Sequence, residues 1–513
     1  MSSDDPSARP PSSAGSVFRE GFEYDFSSLD PMSAHIDPPS IAVYETLMAK
    51  GPDAQPHPLI AESWRTTTRA TEWLVRLHPD ITFHSGAPCD APAVLRSLEA
   101  VRWQLGSDHQ LWYWDAVDTV SVVDPLTLRF ALVHPSLRFP SLLWGTHTSI
   151  FNEELRQARS SDFGTMLADG TGPFKLVTWS PDRIVVERWD AYGGPTTAFL
   201  QPSAGKRPDR VEWVSVTDEA RRLDALESGA LDCIHAPPVD DIERLSEHPD
   251  FVVYRHPQPS NMYLSLDWRR RELGFDDLRV RRAVDLGIDR RSLVATVFAG
   301  NASPTWGPLP PGHEFHDPRI DEAGRHNAAE ARALLDSAGW LRGADGVRSR
   351  DGNRLEFPCV VQDDQVFGRV AEQLSRQLAE LGMAVHVEYA KPFAEFYSAC
   401  RSGVASALSK WLWQDPMDAL IGFSSMATQP FPNWSHASSG RLDRAFAAWI
   451  RGESADDLQA AASEAQSTFV EDLPYIPLLT PDEVWVWRQG VHGFAPSPAL
   501  LYPYYHSLSA PDD

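Results

Sequence analysis

Apolar and polar residues alternate in four stretches of the first half of the chain. These are residues 16–24 (SVFREGFEY), 71–86 (TEWLVRLHPDITFHSG), 117–132 (VDTVSVVDPLTLRFAL) and 183–189 (RIVVERW). A period of two puts every second side chain on one face, so each run predicts a half-buried strand. Asp124-Pro125 supplies a turn that splits the third run into a hairpin. Beyond residue 260 the period changes. Over 275–300, apolar residues recur at 278, 280, 283 and 284, Asp276 or Asp277 can cap, and Gly300 can stop the turn, which predicts a helix. Residues 326–340 predict a second helix, capped by Asn327 and stopped by Gly339. Residues 366–382 run as a helix through Gly382 into the strand-like 383–389, an αβ unit. A last amphipathic helix covers 454–472 and ends before Pro474. The first half is therefore strand-rich and mixed, and about 260–480 forms a separate α/β unit.

Length and charge narrow the picture. A chain of 513 residues suits two or three subdomains rather than one core. Lys and Arg number 46 against 71 Asp and Glu, a net charge of −25, which argues against nucleic acid and anionic membrane surfaces as partners. Four cysteines (Cys89, Cys233, Cys359, Cys400) lie far apart without CxxC spacing, so neither a metal site nor a disulfide framework is expected. Residues 1–15 read as a polar tail, with Asp4 and Asp5 where an export signal would carry Lys or Arg. No run of 18 apolar residues predicts a membrane span. Together these predict a cytoplasmic protein. Walker, GxSxG, HExxH and dinucleotide motifs are missing, so no cofactor is expected.

Two features point to a ligand. Residues 168–181 (ADGTGPFKLVTWSP) place Gly170, Gly172 and Pro173 just before a strand, a geometry that suits positive φ or close backbone approach. Tight strand entry and direct ligand contact both fit that loop. Tryptophan is frequent, 18 in all, and several recur in pairs: Trp112 and Trp114, Trp411 and Trp413, Trp485 and Trp487. Alternate strand positions put each pair on one face, where it can serve a core or an aromatic ligand wall.

The order of these segments resembles the family of extracellular solute-binding proteins that serve peptide and nickel ABC importers. SLDPMSAH (28–35), VYETLM (43–48), PLIAESW (58–64), ITFHSGAP (81–88), GTGPFKL (170–176), ALESGALD (225–232), LRVRRAVDLGIDRRSLVATVFAG (278–300), ARALLDSAGW and EDLPYIPLL (471–479) carry the resemblance in register. It implies a bilobal α/β, periplasmic-binding-protein-like fold with two hinged lobes and a ligand cleft. Lobe I would be 16–260, with an extra subdomain about 41–170; lobe II would be 261–482, and 483–513 would return to lobe I. Hinges are expected near 261–267 and Thr480.

The resemblance also implies which residues line the cleft: Met32, His35, Trp112, Trp114, Trp306, Trp411, Trp413, Asp415, Trp434 and His436. Peptide-binding relatives carry an aspartate for the ligand's ammonium a few residues before the Asp-Pro step. Aligning that step on Asp415-Pro416 puts Leu412 at the aspartate position. Asp415 or Asp418 could take the ammonium, or could serve the turn around Pro416. Nickel-chelate relatives use a histidine near the region of residues 433–438, where His436 could play that part; a lone histidine without a clustered partner fits an ordinary surface or core role better, and no metal site is expected.

The missing export signal, the lost aspartate and the Trp pairs together predict a repurposed cytoplasmic protein. The specific expectation is a cofactor-independent condensing enzyme of the Pictet–Spengler type, with Asp415, Asp418 and His35 moving protons around an indolyl amine. The alternative is the substrate-binding component of an ABC importer for peptides, nickel chelates or related solutes, with a permease as partner.

Overall fold

The first alternating run becomes strand β1 (Val17–Phe22), whose Phe18 and Phe22 are fully buried. The computed structural model describes every residue except 1–14, 33–37, 68, 106–113, 115, 146–147, 195–196, 203–204, 259, 323–325, 363, 391–392, 413–432, 453, 498–499, 501 and 510–513. The chain divides into two units: Met1–His256 with Glu483–Asp513, and Pro257–Asp482.

In the first unit, α1 (Pro38–Val43) is followed by β2 (Ala61–Thr66), β3 (Glu72–Leu77), α2 (Ala91–Leu105), β4 (Val117–Asp124) and β5 (Thr127–Leu132). The strands form an antiparallel sheet ordered β2-β3-β5-β4. The strand expected over 71–86 stops at Leu77, because Asp80 (φ 67°) and Gly86 (φ 86°) turn the chain out of the sheet. The larger sheet adds β6 (Phe174–Ser180), β7 (Arg183–Arg188), β8 (Arg210–Ser215), α3 (Glu219–Glu227) on its connection, and β9 (Cys233–His235). Strand β1 lies parallel between β8 and β9. One continuous core joins these sheets, from Phe18 through Phe130 and Trp213 to Trp485.

The second unit opens with β10 (Ser260–Leu266), α4 (Leu278–Gly287), α5 (Arg290–Val297), β11 (Ala302–Pro304) and α6 (Ala328–Ser337). The single helix expected over 275–300 is thus two. Asp277 caps α4, Ile288 goes extended, and the Asp289 side chain accepts from Ser292 N to cap α5. The break carries Arg290 into the core, where it donates to the Asp285, Thr305 and Pro477 carbonyls and the Asp285 carboxylate. An uninterrupted helix would point that guanidinium elsewhere.

Next come β12 (Glu356–Gln362), α7 (Gln365–Leu381), β13 (Ala384–Ala390), α8 (Phe393–Ser402), β14 (Ser406–Leu412), α9 (Gly440–Ile450), α10 (Ala455–Asp472) and β15 (Ile476–Arg488). The expected αβ unit is α7–β13, with Gly382 left-handed (φ 88°) at the helix end. Strand order in this unit is β13-β12-β14-β10-β15, with β11 also on β15. Because β12 is parallel to β13 and β14, all three end at one sheet edge, at Gln362, Ala390 and Leu412. Antiparallel β10 starts there, Ser260 opposite Leu412. Strand β15 leaves this unit after Asp482 and continues into the first, where Trp485 and Trp487 pair with β9. All four cysteines are buried thiols.

Candidate functional site

In the first unit, the loop before β6 is built for close approach rather than for unusual φ. A Cβ on Gly170 would overlap the Val43 carbonyl, and one on Gly172 the Ala42 carbonyl, while neither glycine has positive φ. Gly172 N donates to Val43 O at 3.0 Å, closing the loop onto the end of α1. Asp169, buried beside it, accepts from Ser85 N (2.8 Å), Ser85 Oγ (2.7 Å) and Asn152 Nδ2 (2.8 Å). His84 Nε2 lies 2.9 Å from Gly172 O. The described contacts of this loop are internal, those of a tight strand entry.

The other residues expected on this side separate. Met32 is half-buried against the core, its N–H bonded to Asp30 Oδ1 at 3.0 Å. Trp114 is a core residue, packed with Val117, Phe139 and Leu143. Trp485 and Trp487 share one strand face, as the alternation predicts, and both pack against Phe494 (5.5 and 5.3 Å between centroids), so this pair belongs to the core. His35 and Trp112 lie outside the described residues.

In the second unit, the sheet edge at the carboxyl ends of β12, β13 and β14 is where open α/β sheets hold ligands. Buried Asn261, at the start of β10, donates through Nδ2 to Gly307 O (3.0 Å) and Pro308 O (2.7 Å) and accepts from Thr480 Oγ1 (2.9 Å). It thereby ties the segment after β11 to the strand start. Half-buried Trp306 lies in that segment, 6.0 Å from the Arg290 guanidinium. Trp411 stands opposite Asn261 on β14. Trp434 is buried edge-on to Phe396 at 5.2 Å, a packing role. His436 has φ 48° and places Nδ1 3.5 Å from the buried Asp267 carboxylate. Asp267 is also gripped by Arg269 (2.7 Å), and although burial works against ionisation, these partners hold its carboxyl well below the usual range. No group of metal-ligating side chains occurs among the described residues. Trp413, Asp415 and Asp418 lie outside them.

Sequence reasoning missed one charged assembly. His235, on β9, sits between Glu23 (Nδ1 to Oε2, 2.9 Å) and Glu483 (Nε2 to Oε1, 2.6 Å). Burial pulls the imidazole pKa down, but the two carboxylates outweigh it and push it up to about 10. Burial would raise Glu23, yet the His235 charge beside it, helped by Arg222, holds it near about 2; at 27 % exposure it keeps some hydration. Glu483 is the first residue of β15 inside this unit, so the triad anchors the incoming strand. The partners lie 212 and 248 positions apart, and no local pattern could announce them.

Comparison with known proteins fixes the wider reading. The family model "Bacterial extracellular solute-binding proteins, family 5 Middle" matches residues 55–432. The glutathione-binding protein GsiB of Salmonella paratyphi A is 24 % identical over 492 residues, covering 91 % of this chain and 90 % of that protein. The periplasmic binding protein DppA of Helicobacter pylori, solved with the peptide STSA, superposes with a TM-score of 0.84 at 20 % identity, covering 97 % of this chain and 98 % of that one. NikZ of Campylobacter jejuni, solved with Ni(L-His), gives 0.83 at 18 % identity, covering 96 % and 99 %.

These matches correct three expectations. A condensing, Pictet–Spengler-type enzyme finds no support, because the relatives are binding proteins. Biosynthesis falls with it. The cytoplasmic location is overturned as well, since the matching family is extracellular and the DppA relative periplasmic. Among the described residues no helix is long and apolar enough to cross a membrane. With the bilobal α/β fold of the periplasmic binding proteins and a family match over most of its length, the chain belongs to the family 5 bacterial extracellular solute-binding proteins.

Proposed function

We propose that the chain is the solute-capturing component of an ABC importer, delivering a small organic solute to a membrane permease. The observation that carries this is end-to-end correspondence: the match to the glutathione-binding relative spans 91 % of this chain and 90 % of that protein. A capture protein modified for chemistry would be expected to add or recast catalytic groups. The charged assemblies described here are instead paired within the protein, at Asp285–Arg290 and Glu23–His235–Glu483. Leu412 at the aspartate position weighs against a solute held by its α-ammonium group, since an unpaired ammonium in a dry site costs several kcal/mol.

Calorimetric titration of the full chain with reduced glutathione, short peptides and nickel–histidine tests the proposal. The expected result is saturable binding of one solute class at one site per chain, together with co-purification of a permease. Absence of binding to every class, together with no permease association, would overturn it.

A further inference from the structure

Sheet edges carry unpaired N–H and C=O groups, and bulges interrupt several of them here. Edge strand β2 is bulged between Ala61 and Ser63, β4 between Val117 and Thr119 and again between Val122 and Asp124, and β6 between Leu176 and Thr178. Strand β13, which ends the sheet of the second unit, departs from that habit. It pairs with β12 in unbroken register from Ala384 to Ala390, and its sequence, AVHVEYA, holds neither proline nor lysine. Every residue from Ala384 to Tyr389 is half-buried or exposed, and Tyr389 is 51 % exposed.

The outward groups of this strand are in phase. Ala384 N–H donates to Leu355 O at 2.9 Å, so residues 384, 386, 388 and 390 face β12, and the N–H and C=O of Val385, Val387 and Tyr389 face away from it. Val385 O accepts from Ser375 Oγ at 2.8 Å and keeps its second lone pair. On the α7 face, the Tyr389 ring lies over Gly368, where an added Cβ would come 3.0 Å from its hydroxyl. Val385 and Val387 share that face and pack against the core beside it. His386 and Glu388 alternate onto the other face, where His386 Nε2 meets Glu356 Oε1 at 2.8 Å.

The strand is complementary to itself. Two antiparallel copies centred on Val387 set Val387 opposite its counterpart, Val385 opposite Tyr389, His386 opposite Glu388 and Ala384 opposite Ala390. Each unlike pair occurs twice about the two-fold axis, apolar pairs on one face and a basic side chain against a carboxylate on the other. The same operation on β4, centred on Ser121, would oppose Asp118 to Asp124. We propose that the free edge of β13 is a homodimer interface, where a second copy of the chain adds its own β13 antiparallel and makes one sheet continuous through both. The hydrogen bonds come from groups already aimed outward, and the incoming Val385 covers the exposed Tyr389 ring. An isologous contact of this kind closes at two copies. It is independent of which solute the chain captures.

Sedimentation equilibrium of the full chain over a micromolar concentration range should show reversible monomer–dimer association and no larger species. Val387→Pro removes an outward N–H that serves no bond to β12, and should raise the dissociation constant at least about tenfold. His386→Glu sets like charges opposite each other twice, and should raise it at least about fivefold. Adding Glu388→Lys to His386→Glu restores opposite charges and should bring the constant back to within about twofold of wild type. A chain that stays monomeric throughout the range overturns the proposal. So does a dimer that neither Val387→Pro nor His386→Glu weakens, and so does a charge exchange that fails to rescue His386→Glu. His386 and Glu388 are exposed, so the exchange tests the interface even if Val387→Pro fails to fold.

Discussion

Glu20 offers the sharpest test of how the first unit stores charge. It lies on β1 with no exposed surface, its carboxyl accepting from the Tyr505 hydroxyl at 2.6 Å, which in turn accepts from Trp213 Nε1 at 3.0 Å. Burial pushes its pKa from 4.5 up to about 8, against the opposing pull of Tyr505 and His235. The unfolded chain therefore releases this proton near 4.5 and the folded chain near 8. A raised value means the contribution is fully present below 4.5 and is lost as pH climbs through 8. At about 1.4 kcal/mol per pH unit, that interval represents about 5 kcal/mol. Glu20→Gln keeps the volume and an oxygen for the Tyr505 hydroxyl but cannot ionise. The two proteins should melt close together at pH 5. At pH 9 the variant should melt higher by about 10 °C, taking about 2 °C per kcal/mol for a unit of this size. Tryptophan fluorescence is a direct readout, because Trp213 and Trp485 share the core with β1. Melting curves that move in parallel from pH 5 to 9 would refute the reasoning.

Other outcomes follow from the same geometry. His235→Gln removes the cation between the Glu23 and Glu483 carboxylates, and should cost about 3–5 kcal/mol at pH 7 in denaturant titration. In the wild type, the Glu23 contribution is complete above 4.5 and lost toward about 2, and the His235 contribution is complete below 6.5 and lost toward about 10. Stability from the triad should therefore peak between pH 4.5 and 6.5, a maximum that His235→Gln should flatten. Gly170→Ala drives a methyl into the Val43 carbonyl and should lower the melting temperature by several degrees, whereas Gly352→Ala, with open space around it, should cost only its backbone strain (φ 83°).

Much of the fold was written locally. Asn327, Gly339 and Gly382 end or begin helices where the pattern put them, because caps are decided by neighbours three or four positions away. The family resemblance was equally legible, since its motifs encode fixed packing. Gly170 and Gly172 admit the end of α1, and Asp285 with Arg290 locks β15. Function was harder. Reading an enzyme partly from paired tryptophans gave weight to a feature that packing explains, as Trp114, Trp485 and Trp487 show.

The sequence by itself determined most of the local elements and membership of a binding-protein family, because period, caps and turns act over a few residues, though not the break at Ile288 or the strand end at Leu77. The tertiary structure alone decided which charges meet. His235 finds Glu23 and Glu483 across more than 200 positions, since long-range pairing is set by strand register and not by spacing along the chain.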